Sequence, residues 1–446
     1  MKAITDYCSI LVVGLGQTGL SIAQYLASKG LNFKVADSRS DPPGKEALNQ
    51  LGVTIQTQFG AFDPQFFADA DCLVVSPGIA VSTPVIKACA ERKADIIGDI
   101  ELFIREAKAP IVAITGSNGK SSVTTLVGLM AERAGWNAYA GGNLGTPALD
   151  FLTQPIPDVY VMELSSFQLE TTHSLKAKAA TVLNVSEDHM DRYASYADYA
   201  AAKQVVYQGC EVAVINRDDA LVLAMPTDGV RVSFGLDAPQ HSHEYGIQTR
   251  EGESYLAKGE QLLLPLAQMK LPGLHNAANA LAALALGEAL GLPLAPMLEA
   301  LQSFTGLPHR TQWVRKLHGV TYYDDSKGTN VGATLAALAG MPNQTVLIAG
   351  GQGKGADFSS LGEVLARKAR ALVLIGEDRF KIAKVAEGQC PYVFAESMTD
   401  AVQKAAQLAQ EGDNVLLSPA CASFDMFKNY GHRGDCFVQA VLELPS

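Results

Sequence analysis

The chain has 446 residues, 48% hydrophobic and 18% charged, which provides for several buried cores, roughly three domains, and excludes a disordered chain. A formal net charge of -11 argues against nucleic acid and acidic membrane surfaces as partners, so any anionic ligand must meet positive charge concentrated locally. The seven cysteines, odd in number and without a C-x-x-C pair, suggest neither a disulfide framework nor a zinc site.

The first region opens with "SILVVGLGQTGLSIAQYLASKGLNFKVADSR", an apolar strand, a glycine turn, an amphipathic helix and a second strand ending at Asp37. Gly14, Gly16 and Gly19 satisfy G-x-G-x-x-G in this βαβ setting, with Asp37 as the acidic residue downstream. On the glycines alone a nicotinamide- or flavin-dependent oxidoreductase is an alternative, because the signature accommodates other pyrophosphates. "DCLVVSPGI" then reads as a strand ending in a Pro-Gly turn, so that a crevice between the two turns is expected. The apolar run at the start abuts the glycine turn without a small-residue cleavage site, and "NALAALALGEALGLPL" is broken by Glu288 and glycines short of the roughly 20 residues of a membrane helix. A cytoplasmic protein is the expectation.

A second α/β region begins with "PIVAITGSNGKSS". A strand, a glycine turn and a helix start suit a polyphosphate, since glycines let the backbone wrap an anion and helix amino ends carry unpaired N–H groups. Lys120 would reach the β- and γ-phosphates and Ser121 would meet Mg²⁺. The usual eight-residue pattern would place glycine where Ile114 stands, so a plain strand-to-helix turn is the alternative. Glu163 ends the strand "DVYVM", either as a ligand or as a solvated carboxylate, and His189 follows "NVSED", where a hydrogen-bonded surface role competes with metal binding. Lys203 in "YAAAKQ" reads locally as a solvated helix lysine. Residues 240–270 read as short β-hairpins, and "LPGLHNAANALAALALGEALGL" as an alanine-rich helix. Asn276 and Asn279, three apart on one face of that helix, serve either a nucleotide or the helix start. "LQSFTGLPHR" marks a boundary, after which "TYYDDSKGTN", "TVLIAGGQGKGADF", "ALVLIGE" and "NVLLSPACASFDMF" repeat the α/β alternation. The glycine-rich "GGQGKGADF" lacks a hydroxyl after Lys354, so this lysine reads as a carboxylate partner rather than part of a second phosphate loop.

The wording "TGSNGKSS" is similar to that of the Mur ligase superfamily, ATP-dependent amide-forming enzymes of cell-wall precursor synthesis that also include folylpolyglutamate synthase. "GGNLGTP", "ELSSFQLE", "LNVSEDHMDRY", "YAAAKQ", "LPGLHNAANALAA", "GLPHR", "DDSKGTN" and "GGQGKGADF" resemble the family's blocks in the family's order and cover most of the chain. The hundred residues ahead of the loop, with their "GLGQTG" and "SPGI" turns, and the C-terminal "SPACASFDMFKNYGHRG" resemble the D-glutamate-adding members.

The resemblance implies three domains: a Rossmann-like uridine-nucleotide domain (1–98), a central P-loop ATPase-like parallel-sheet domain with a small β portion (99–305), and a Rossmann-like amino-acid domain (306–446). It implies a monomeric ligase that uses ATP to add D-glutamate to UDP-N-acetylmuramoyl-L-alanine through an acyl phosphate. Gly116, Ser117, Asn118, Gly119, Lys120, Ser121, Ser122, Asn276, Asn279, His309, Arg310, Asp325 and Lys327 would then serve ATP, with Arg310 at the phosphates and Asp325 at the ribose. Ser121 and Glu163 would hold a first Mg²⁺, and His189, supported by a carbamylated Lys203, a second. Leu15, Gly16, Gln17, Thr18, Asp37, Arg39, Gly78 and Asn143 would serve the uridine substrate, and Thr329, Lys354, Ser423, Phe424 and Tyr430 D-glutamate.

Overall fold

The computed structural model describes residues 2–143, 145–186, 192–271 and 273–445. Its elements form three sheets in chain order. The first has the strand order β3-β2-β1-β4-β5, from β1 (Ile10–Val13), β2 (Phe33–Asp37), β3 (Gln56–Phe59), β4 (Cys72–Val75) and β5 (Asp95–Ile97), all parallel. β1 and β4 are buried throughout, which explains why they read as unbroken apolar runs rather than as alternating strands. Alternate residues still point to opposite faces: Ile10 and Val12 join one core, Leu11 and Val13 another.

The second sheet runs β14-β13-β12-β11-β10-β9-β6-β8-β7. Its strands are β6 (Ile111–Thr115), β7 (Ala138–Gly142), β8 (Val159–Glu163), β9 (Ala179–Val182), β10 (Val212–Asn216), β11 (Val230–Phe234), β12 (Glu244–Arg250), β13 (Glu253–Lys258) and β14 (Gln261–Pro265). From β7 to β12 the pairings are parallel, and the last three strands are the hairpin material expected at 240–270. The third sheet, β15-β16-β20-β17-β18-β19, contains β15 (Gln312–Leu317), β16 (Val320–Asp324), β17 (Thr345–Gly350), β18 (Ala369–Ile375), β19 (Tyr392–Phe394) and β20 (Asn414–Leu417). Only its edge strand β15 is antiparallel to its neighbour. Leu347 and Ala349 of β17 face one core layer and Val346 and Ile348 the other, so helices cover both sides.

The chain divides into two compact units: Met1–Thr249, Leu256–Leu263 and Asn279–Ala300; and Arg250–Tyr255, Leu264–Ala278 and Leu301–Ser446. The first two sheets share the larger unit because one apolar core runs through both, from Ile10 and Leu15 to Phe103 and Tyr160, whose rings meet edge to face. A polar seam adds to it. Glu101 accepts bonds from the backbone amides of His173 and Ser174, and Ser21 Oγ donates to Asp150. No helix among the described residues is long and apolar enough to cross a membrane.

Candidate active site

The loop after β6 is shaped by two glycines. Gly116 (φ 146°) and Gly119 (φ 84°) adopt conformations that side chains disfavour, and the helix Lys120–Arg133 begins at once. A methyl on Gly119 would lie 2.5 Å from Asn279 Oδ1, so the close approach as well as the dihedral requires glycine. Ile114, which stands where the longer pattern has a glycine, is an interior residue of β6. The loop is clamped from the segment after β9: Ser117 N donates to Asn184 O (2.9 Å), Asn118 N to Asn184 Oδ1 (2.8 Å), and Asn184 Nδ2 back to Asn118 O (3.1 Å). Asn184 was not singled out in the sequence, although its place in the "LNVSED" block was the signal available.

Two ammonium groups converge on this loop. Lys120 Nζ donates to Gly116 O (2.8 Å) and Ser117 O (2.9 Å), and Lys203 Nζ donates to Gly116 O (3.0 Å). Lys203 is 2% exposed and its nitrogen lies 4.4 Å from the Tyr199 ring centroid, so the solvated reading of this helix lysine is overturned. In a chain of net charge -11 this is the local positive charge an anionic ligand requires.

Glu163 stands beside the loop because β8 pairs with β6 in a register that sets it opposite Ile114. It is 2% exposed, so it is not a solvated carboxylate. Oε1 accepts from Asn143 Nδ2 (2.8 Å), while among the described residues the buried Oε2 has no hydrogen-bond partner. An orphaned carboxylate oxygen is costly to bury and suits a cation. Ser121, 2% exposed, supplies a hydroxyl in the first turn of the helix. No three His, Cys, Asp or Glu side chains cluster among the described residues, which Mg²⁺ does not demand, since it takes one or two protein oxygens and completes its shell with phosphates and water. His189 lies outside the described residues.

A cleft of about 600 Å³ opens in the same unit, lined by Gly16, Gln17, Thr18, Arg39 and Gly78 from the first sheet's turns and by Asn143 from the central region. Asn143 therefore touches both the cleft and Glu163. Gly14 and Gly19 shape the floor: a methyl on Gly19 would lie 1.8 Å from Gly14 O, and Ser76 Oγ donates to that same oxygen. Leu15 is fully buried, and its N–H donates to Asp37 Oδ2 at 2.6 Å. Asp37 is likewise buried. Burial alone would raise its pKa, but the Arg39 side chain and two backbone amides hold it below the ordinary carboxylate range. Its carboxylate fixes the turn, and Arg39, half exposed, is the member of the pair that lines the cleft. Gln168, another lining residue missed in the sequence, donates to Asp99 at 3.1 Å.

The second unit holds the remaining candidates. His309 (φ 62°) pairs through Nδ1 with the buried Asp324 (2.7 Å), which raises the imidazole pKa, and Gly434 is required beside it, since a methyl there would lie 2.1 Å from His309 Nδ1. Asp325 accepts from Ser418 Oγ (2.7 Å) and Thr311 N (3.0 Å), and burial pushes its carboxyl up to about 7 despite those bonds. Lys327 N donates to His309 O, its Nζ lies 4.0 Å over the Tyr430 ring, and Thr329 N donates back to Lys327 O. Arg310 N donates to Leu307 O in the turn before β15. Lys354 Nζ lies 5.6 Å over the Phe424 ring; Phe424 and Tyr430 are exposed, whereas Ser423 is 2% exposed. Asn276 is buried in this unit, while Asn279, one turn further along the helix Leu274–Leu290, belongs to the first. The sequence reading missed Arg433, 1% exposed, whose guanidinium donates to Ser326 Oγ, Ser326 O and Cys421 O and is brought down to about 10 by burial.

These features define an α/β protein of mostly parallel sheets whose central sheet carries a glycine loop at a helix amino end. The chain belongs to the Mur ligase family: the descriptions "Mur ligase MurD-like, N-terminal domain", "Mur ligase middle domain" and "Mur ligase, glutamate ligase domain" match residues 8–98, 114–287 and 309–421. It is 52% identical over 441 residues (98% of this chain, 97% of the relative) to a UDP-N-acetylmuramoylalanine–D-glutamate ligase of Nitrosococcus oceani. It is also 52% identical over 436 residues (97% and 96%) to the ligase of the same name from Pseudomonas putida. Among solved structures it is similar in fold to the UDP-N-acetylmuramate-alanine ligase of Thermotoga maritima, with TM-score 0.60, 21% identity, and 98% and 100% of the two chains covered.

Proposed function

We propose that the protein is an ATP-dependent ligase that joins D-glutamate to UDP-N-acetylmuramoyl-L-alanine, yielding ADP and phosphate in peptidoglycan precursor synthesis. The relatives at about half identity over nearly the whole chain support the substrates. The observation that carries the reading is Asn143, which lines the glycine-turn cleft while donating to Glu163 beside the phosphate loop. A uridine substrate in the cleft would thereby have its acyl arm directed at the triphosphate.

In this reading the alanyl carboxylate attacks the γ-phosphorus and ADP leaves; the D-glutamate amine then attacks the acyl phosphate, loses a proton and expels phosphate. The first step sets anion against anion, and the main task of the chain is to offset that repulsion and align the reactants of both steps. Phosphate oxygens would replace the carbonyls that Lys120 Nζ now meets, with the loop Gly116 to Ser122 wrapping the chain of phosphates. Ser121 and Glu163 would hold one Mg²⁺, His189 and a carbamylated Lys203 a second, and the ions would supply charge neutralisation at the γ-phosphate.

Leu15, Gly16, Gln17, Thr18, Arg39 and Gly78 would receive the uridine diphosphate, with Asp37 acting through Arg39. Asn276, Asn279, His309, Arg310, Asp325 and Lys327 would serve ATP, and Thr329, Lys354, Ser423, Phe424 and Tyr430 the two carboxylates of D-glutamate. Domain limits at 98 and 305, a cytoplasmic location and a monomeric state belong to the same proposal. Phosphate release from ATP with UDP-N-acetylmuramoyl-L-alanine tests it: D-glutamate should be preferred over L-glutamate, L-alanine and diaminopimelate. Equal or faster turnover with any of the last three would refute the assignment.

A further inference from the structure

We infer that Arg192 is a positioning residue for the uridine-nucleotide cleft, a central-domain guanidinium that holds the Pro77–Ile79 turn of the first domain by its carbonyls. Arg192 Nη1 donates to Pro77 O and Nη2 to Ile79 O, both at 3.3 Å. Between these carbonyls sits Gly78, which lines the cleft together with its two neighbours. The turn is otherwise closed by its own bond from Ile79 N to Ser76 O (2.9 Å).

The cation is itself fixed on the other side. Nη2 pairs with Glu170 Oε2 at 2.7 Å, both side chains being only 14% and 13% exposed, and the guanidinium carbon lies 4.5 Å from the Phe167 ring centroid. Phe167 belongs to the short helix Ser166–Leu169 and Glu170 directly follows it, and the same helix carries the cleft-lining Gln168. Arg192 thus ties the Pro77–Ile79 turn to the helix that furnishes another lining residue of the cleft.

Only a planar fork reaches these acceptors while stacking on a ring; a lysine in its place would be a single point charge. Contacts of 3.3 Å are long for hydrogen bonds, so each steers more than it binds, and the effect lies in preorganising the turn before ligand arrives. Substrate that meets an already placed turn loses less conformational freedom on binding.

This inference rests on the uridine-substrate reading of the cleft, and its test separates the two. Arg192→Met keeps the aliphatic stem and removes charge and fork. Calorimetry without turnover should show binding of UDP-N-acetylmuramoyl-L-alanine weakened about ten-fold, with ATP affinity within about two-fold of the parent and thermal unfolding still cooperative. Arg192→Lys should recover part of the loss, and Glu170→Gln, which frees the guanidinium from its anchor, should produce a smaller loss of the same kind. Unchanged binding in Arg192→Met, or equal weakening toward ATP, would overturn the proposal. Should that variant fail to fold, Arg192→Lys and Glu170→Gln decide by the same readout. A parent protein that binds the uridine compound but does not ligate D-glutamate would sink the functional reading alone.

Discussion

The loops at 116–121 and 350–355 both follow a fully buried parallel strand, and both combine glycines with one lysine. After the first, a helix begins at Lys120 itself; after the second, no helix starts until Leu361, and Lys354 sits in a left-handed conformation (φ 52°) within the turn. Both loops spend amides on their scaffold: Ser117 N and Asn118 N donate to Asn184 in the first, and in the second Gly350 N donates to Pro419 O, Gln352 N to Ala422 O and Gly353 N to the Asp378 carboxylate. In the proposed reading, what separates a phosphate cradle from a polar loop is the helix amino end behind it, which adds aligned N–H groups and a positive dipole. Composition alone does not.

The largest effect expected from this contrast is on Lys120. Lys120→Ala should lower ATP-dependent phosphate release roughly 10³-fold, because a cation facing developing phosphate charge is lost at a desolvated site. Lys354→Ala should leave ATP affinity within about two-fold and raise KM for D-glutamate about ten-fold, as expected for one charge-assisted contact to a carboxylate. Steady-state kinetics with each substrate varied would check both; an ATP defect in Lys354→Ala would erase the distinction between the loops.

The first loop was legible because its determinants are local: the apolar strand, the glycines and the helix pattern are contiguous in "PIVAITGSNGKSS". Glu163 was legible for the same reason, as the polar end of an apolar strand. Lys203 was not, since nothing in "YAAAKQ" says whether its tail reaches water, and the carbonyl it meets lies 87 residues away in sequence. Asp37 reads in the sequence as the acidic residue downstream of the glycine turn, but its complete burial behind Arg39 depends on pairings across β1 and β2 that no local pattern encodes. Arg433 escaped because an arginine satisfied by a hydroxyl and two carbonyls leaves no charge partner in the sequence to announce it.

A subtler probe uses glycines with nearly the same dihedral. Gly119 (φ 84°) and Gly355 (φ 81°) would each strain a side chain by about 1 kcal/mol, but only at Gly119 would the methyl also meet Asn279 Oδ1, at 2.5 Å, whereas at Gly355 nothing lies within 4 Å. Gly355→Ala should cost only the backbone term in denaturant unfolding. Gly119→Ala should cost about 1–3 kcal/mol in total and weaken ATP binding as well. Equal costs would mean that Asn279 yields and that the loop is not held by it.

The smallest expected effect concerns how each unit carries buried charge. Around the first loop, ammonium groups rest on carbonyls; in the second unit Asp325 is buried on hydroxyl and amide donors with no cation paired to it among the described residues. Its folded-state pKa, raised by burial to about 7, lies above the unfolded value of 3.8. Stability from the neutral acid is therefore fully present below about pH 4 and is lost as pH rises toward 7, where the folded unit must accept an unpaired anion. Asp325→Asn removes that titration and keeps the shape: the amide oxygen still accepts from Thr311 N, and the new N–H can donate to Ser418 Oγ, which retains Thr334 Oγ1 at 3.0 Å as its own partner. Thermal unfolding without nucleotide should then show the variant gaining on the parent between pH 5 and about pH 8, by a few degrees at most. A constant difference across that range would mean that Asp325 is already ionised in the folded protein at pH 5 and that its hydroxyl and amide donors suffice to hold the charge.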